Sequence, residues 1–171
     1  ITMSGTNAIL NLFLTLVNPG DNVLIPEPYF PLYGPDAKLC GGDAKYYPCR
    51  FEDEFVPNVE SLEQLIDENT VAILYNFPSN PTGGTLNVEQ RDALLNFAKK
   101  HDLWIITDEV YDRIVFEGEH VSFMGTGYDK VLLINSFSKT FAMTGWRLGY
   151  IMSTNLEAME QVIKMQYYMT A

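Results

Sequence analysis

One feature constrains the fold of this chain more than any other: short apolar runs alternate with longer segments of helical spacing. That alternation is the pattern of an α/β fold, a mainly parallel sheet with helices on both faces. Residues 22–26 (NVLIP), which follow the turn signal Asn18-Pro19-Gly20-Asp21, read as a strand, as do 71–75, 103–107 and 131–135. Residues 44–48 and 149–153 are weaker strand candidates. Helices are expected over 6–17, 61–67, 87–101 and 156–169. In the third, Asn87 and Gln90 have the spacing of a capping box, and Leu94, Phe97, Ala98 and His101 follow the i, i+3, i+4, i+7 spacing of a buried face. His101 closes that stripe and reads as a structural residue at the helix end.

A chain of 171 residues suits one domain, and 47% hydrophobic with 19% charged residues excludes a disordered or fibrous protein. The net charge is -11 and the basic residues are scattered, which argues against a nucleic-acid or anionic-membrane surface. An anionic ligand would need a local positive site against that background. The most apolar run, residues 8–17, is too short for a membrane span and is interrupted by Asn11 and Thr15. Cys40 and Cys49 lack CxxC spacing and read as reduced structural thiols, and with no signal peptide visible a cytoplasmic location is expected. The chain enters an ordered motif directly after Ile1 and reaches Ala171 inside a helical run, so it is expected to be part of something longer.

In open α/β sheets ligands gather at the carboxyl ends of the strands. The unusual residues of this sequence fall there: 76–84 (NFPSNPTGG), 108–111 (DEVY) and 136–139 (SFSK) each follow a strand. Lys139 stands among Ser136, Ser138 and Thr140, just after a buried strand. A lysine amine held in a desolvated pocket loses its proton readily and can attack a carbonyl carbon, whereas an ordinary lysine is a solvated surface charge. Arg147 lies eight residues on, in Thr144-Gly145-Trp146-Arg147; its guanidinium fork suits a phosphate dianion, to which Ser136 could add a hydroxyl. Asp108 either caps the next turn or pairs with a buried cation. In a pyridine cofactor that cation is the ring N–H, and the pair keeps the ring protonated as an electron sink. Tyr111 and Asn80 could reach the phenolic oxygen of such a ring. Ser4-Gly5-Thr6-Asn7 opens the first helix, either as a plain N-cap or as an anion site. Gly125-Thr126-Gly127 lacks the third glycine of a dinucleotide fingerprint, the two histidines are isolated, so no metal site is expected, and no GxxxxGK[ST] or GxSxG motif occurs.

Together these segments resemble the class I/II aminotransferases of the fold type I pyridoxal-phosphate family. The resemblance runs over essentially the whole chain and rests most on Asn80-Pro81-Thr82-Gly83, Asp108-Glu109-Val110-Tyr111, and Ser136-Phe137-Ser138-Lys139 with Arg147 in register. It implies pyridoxal 5'-phosphate as cofactor and Lys139 as its Schiff-base lysine and the base that moves a proton from the substrate Cα. It implies Asp108 at the pyridine nitrogen, Tyr111 and Asn80 at the phenolic oxygen, and Phe30 stacked on the ring. Gly5, Thr6, Ser136, Ser138 and Arg147 would hold the phosphate. Tyr29 and Tyr33 are read as ordinary packing or surface aromatics, and Asn80–Pro81 is expected to be cis. By the same resemblance, residues 1–171 are the cofactor-binding large domain. An N-terminal segment and a C-terminal small domain carrying the substrate-carboxylate arginine would lie outside the chain, and a second subunit of a homodimer would complete the site. The implied reaction exchanges an amino group between an L-amino acid and a 2-oxo acid. Carbon–sulfur β-elimination and a non-catalytic sensor domain of a transcriptional regulator are the alternatives.

Overall fold

The computed structural model describes residues 1–170. In chain order the elements are α1 (Gly5–Leu16), β1 (Asn22–Glu27), α2 (Tyr33–Leu39), β2 (Asp43–Pro48), α3 (Val59–Glu63), β3 (Thr70–Asn76), α4 (Val88–Lys100), β4 (Trp104–Asp108), β5 (Val131–Ser136), α5 (Phe137–Thr140), β6 (Gly149–Met152) and α6 (Leu156–Thr170). The strands form one sheet in the order β2-β1-β3-β4-β5-β6. All neighbours are parallel except β6, which runs antiparallel to β5 with Ser136 opposite Gly149.

Both faces of the sheet are covered, so its central strands are apolar throughout rather than alternating with polar residues. On one face Leu24, Ile73, Tyr75, Ile105 and Val131 pack with Leu62 of α3 and with Leu94, Phe97 and Ala98 of α4. On the other, Val23, Ile25, Ala72, Leu74, Ile106, Leu132 and Ile134 pack with α1, α2 and Val162 of α6. The expected buried stripe of α4 is thus present, and the capping box of Asn87 and Gln90 is formed in both directions. His101 sits past the end of that helix, 3.0 Å from Glu63 of α3, in the structural role the spacing suggested.

Three helices depart from the sequence reading, the four-residue α5 among them. The helix expected over 61–67 is instead α3, earlier and shorter, because the Asn58 side chain accepts the Glu60 N–H and starts the helix there. Asp67 is not helical; it accepts from Asn69 N and pairs with Lys45. Helix α2 was not anticipated: it is only 7 residues long and carries Gly34 and Pro35, two poor helix formers. Pro35 falls in the first turn, where a helix has no use for the amide hydrogen that proline lacks.

The topology fixes where a ligand can sit. β1, β3, β4 and β5 all end on one edge, and the antiparallel β6 begins there. The start of α1 is pressed onto this edge: a Cβ added at Gly149 would come within 2.5 Å of Ser4 C and 2.7 Å of Gly5 N. Only glycine permits that approach.

Candidate active site

At the carboxyl edge lies a cleft of about 170 Å³ lined by residues from every segment singled out in the sequence. Gly5 and Thr6 come from the start of α1, Phe30 from the loop after β1, Asn80 from the loop after β3, and Asp108 and Tyr111 from the end of β4. Ser136, Ser138 and Lys139 come from the junction of β5 and α5, and Arg147 from the turn before β6. All ten expected site residues therefore converge.

The chemistry of the floor is set by Asp108. Its carboxylate is 4% exposed, accepts the Tyr33 hydroxyl at 2.7 Å and accepts Val110 N at 3.2 Å. Burial raises its pKa from 3.8 to about 6. The Tyr33 and Val110 hydrogen bonds pull it back, Glu109 pushes it up and Lys139 draws it down. Tyr33 is itself fully buried, and burial, then the charge of Asp108, lift its phenol well above its usual range, so it acts as a neutral donor. The reading of Tyr33 as a packing aromatic is therefore corrected: it touches Phe30 edge-on, at 5.6 Å between ring centroids, yet its hydroxyl orients the buried carboxylate. Tyr29, by contrast, stacks on Tyr46 at 5.1 Å, an ordinary packing contact.

Asn76 is a second residue the sequence reading passed over. At the end of β3 it donates to Asp108 O at 3.0 Å and accepts Asn80 N at 2.8 Å, tying the Asn80 loop to the end of β4. A buried asparagine closing an apolar strand was the available signal. The Asn80–Pro81 peptide is cis, as the resemblance implied; Glu27–Pro28 and Phe77–Pro78 are cis as well.

Across the cleft the cationic groups are Lys139 and Arg147. Lys139 lies on the single turn of α5, with its Nζ 5.4 Å from the centre of the Tyr111 ring. The expectation of a desolvated amine is not met among the described residues: Lys139 is exposed on the short α5 that lines the cleft. Arg147 is also exposed, adopts a left-handed conformation (φ 52°) and donates to Thr144 O at 2.8 Å. It lines the same cleft as Gly5 and Thr6 at the start of α1. Two cations, two serine hydroxyls and a helix start thus line one cleft of an acidic chain, a donor set whose chemistry suits an anion.

Comparisons with known proteins identify the family to which this sheet edge and its cleft belong. The chain matches the family described as aminotransferase class I and II over residues 1–170. An aspartate aminotransferase of Thermotoga maritima is 37% identical over 173 residues, spanning 100% of this chain and 46% of that protein. An aromatic-amino-acid aminotransferase of Thermococcus litoralis is 36% identical, spanning 98% of this chain and 44% of that protein. The crystal structure of the Thermotoga maritima enzyme superposes with a TM-score of 0.94 over 99% of this chain and 46% of that one. The aspartate aminotransferase of Thermus thermophilus with maleate gives 0.93 at 33% identity over 99% of this chain and 44% of that one. This chain belongs to the class I and II aminotransferase family. It spans about half the length of the curated relatives it matches.

Proposed function

We propose that residues 1–171 form the cofactor-binding large domain of a pyridoxal-phosphate-dependent aminotransferase that exchanges an amino group between an L-amino acid and a 2-oxo acid. The observation that carries this reading is the buried Asp108, held by Tyr33 on the floor of a cleft whose rim bears Lys139 and Arg147. The donor set fits the cofactor. A carboxylate whose ionisation burial disfavours calls for a cationic N–H partner, and a pyridinium supplies one. Asp108 would hold the ring nitrogen, Tyr111 and Asn80 the phenolic oxygen, and Phe30 a ring face. Gly5, Thr6, Ser136, Ser138 and Arg147 would hold the phosphate.

When bound, the cofactor supplies the electron sink that stabilises negative charge at the substrate Cα. The chain's own part is placement and proton handling. Lys139 Nζ would tether the group and take the proton from the substrate Cα, with Tyr111 beside it to orient the amine. Asp108, kept anionic by its new partner and by the Tyr33 hydroxyl, would keep the ring nitrogen protonated. Because Lys139 and Arg147 are exposed here, water exclusion would come from a second subunit. The exposed Phe141 and Trp146 beside Arg147 support a homodimer contact at this rim. A cytoplasmic setting accords with the unpaired thiols of Cys40 and Cys49.

The test is a half-reaction. Mixing the cofactor-loaded protein with a panel of L-amino acids should convert the cofactor to its amine form, release the matching 2-oxo acid, and reverse when a 2-oxo acid is added. Release of ammonia and pyruvate from cysteine conjugates without that conversion would contradict the assignment.

A further inference from the structure

Beside Asp108 stands a second buried carboxylate that the cofactor site does not use. Glu109 is 3% exposed, and its side chain points to the face of the strand opposite Asp108. There Oε1 accepts from Thr107 Oγ1 at 3.0 Å, Ser122 Oγ at 3.0 Å and Phe123 N at 3.3 Å, while His120 Nε2 meets Oε2 at 2.6 Å. Three of those partners lie at the far end of the segment that begins with Glu109. The same end is anchored again: Phe123 stacks on Tyr75 of β3 at 4.8 Å, and Arg91 of α4 donates to Ser122 O at 2.6 Å. At the near end Glu109 O accepts Asp112 N at 3.0 Å, and Tyr111 O accepts Ile114 N at 2.8 Å, so Tyr111 rides on the turn that Glu109 starts.

We propose that the pair of Glu109 and His120 is a clamp that closes residues 109–123 onto β4 and thereby holds Asp108 and Tyr111 in place at the cleft. Both are positioning residues: neither lines the cleft. The carboxylate's bonds cross from strand end to loop end, so losing His120 frees the segment that carries Tyr111 while leaving the sheet paired. The inference deepens the cofactor reading given above and rests on it only for its consequence at the site.

The chain holds its own control. His101 and Glu63 form a second His–Glu contact, at 3.0 Å, that joins α4 to α3 far from the cleft. The experiment compares His120→Ala with His101→Ala in two measurements. The first is amide hydrogen exchange of residues 108–116 without cofactor; the second is the visible band and affinity of added pyridoxal phosphate. His120→Ala should raise exchange in that segment at least tenfold, weaken cofactor binding about tenfold and shift the band; His101→Ala should do none of these at a comparable loss of thermal stability. Glu109→Gln keeps Oε1 as acceptor and offers Nε2 to the imidazole, so it should retain protection of the segment. Should His120→Ala not fold, Ser122→Ala, which deletes one bond of the clamp, should give the same local exchange at smaller amplitude. Exchange and band in His120→Ala, or exchange in Ser122→Ala, equal to those of wild type would overturn the clamp. If wild type binds no cofactor, the cofactor reading falls and the exchange measurement still decides the clamp.

Discussion

Tyr33 donates its hydroxyl to Asp108 Oδ2 at 2.7 Å, joining the start of α2 to the end of β4 across 75 residues of sequence. Both groups are buried, and the phenol stays protonated because burial and the neighbouring carboxylate both oppose its ionisation. The bond fixes the direction of the one buried acid in the cleft. It also lowers the cost of keeping that acid ionised.

Tyr33→Phe should therefore leave the fold intact and weaken the site. A hydrogen bond to a charged group contributes about 1.5–3 kcal/mol, so pyridoxal-phosphate affinity should fall roughly tenfold or more. A spectroscopic titration of the variant measures this directly. Unchanged affinity would mean that Asp108 needs no help in facing the cleft.

Asp108 should also mark the stability of the cofactor-free chain with a definite sign. Its pKa stands at about 6 in the fold against an ordinary 3.8. Between those values the folded chain binds more protons than the unfolded one, so this group's contribution is full below pH 4 and is lost as pH rises through 6. The shift corresponds to roughly 3 kcal/mol, from which Asp108→Asn loses about 1 kcal/mol through its altered bond to Val110 N. The variant should be more stable than wild type by about 2 kcal/mol at pH 8, with the difference falling through zero and reversing to about 1 kcal/mol in favour of wild type near pH 4. Urea unfolding at the two pH values checks it; added cofactor should reverse the order.

Asn76 gives a third test. Asn76→Ala removes both the bond to Asp108 O, which is buried, and the acceptor for Asn80 N, which is half-buried, at a cost of about 1–3 kcal/mol for the buried group and less for the other. Thermal unfolding should show the loss, and the visible band of bound cofactor should shift because Asn80 is released. An unchanged band would separate Asn80 from the phenolic oxygen.

Much of this site was legible because β-strand residues and strand-end polar residues are written contiguously. The runs at 71–75 and 131–135 appear in the fold with one residue added at each end or at the carboxyl end, and Asn80 after the first and the serines and lysine after the second converge with Asp108 as expected. Tyr33 was not legible, because its role depends on α2, a helix hidden behind Gly34 and Pro35. The exposure of Lys139 was equally out of reach: a small-residue context after a buried strand says where the amine sits along the chain, not what covers it. The clamp at Glu109 depends on a loop returning from residue 120, a closure that no local pattern encodes.

Gly149→Ala tests how the phosphate end is built. The added methyl would meet the backbone of Ser4 and Gly5 at under 3 Å, and backbone cannot yield as a side-chain tip does. Overpacking of this kind costs about 1–3 kcal/mol. Calorimetry should show the loss. Binding of inorganic phosphate and of the cofactor should fall together as the start of α1 moves off β6. Loss of stability with phosphate affinity unchanged would detach the helix start from the anion site.

The most direct test of the central claim asks which atom holds the cofactor. The protein is mixed with pyridoxal phosphate, its visible absorption is recorded, borohydride is added, and peptides are mapped by mass spectrometry. The expected result is a visible band whose reduction product maps to Lys139 and is absent in Lys139→Ala. A reduced adduct on another lysine, or equal reversible binding in both proteins, would contradict it.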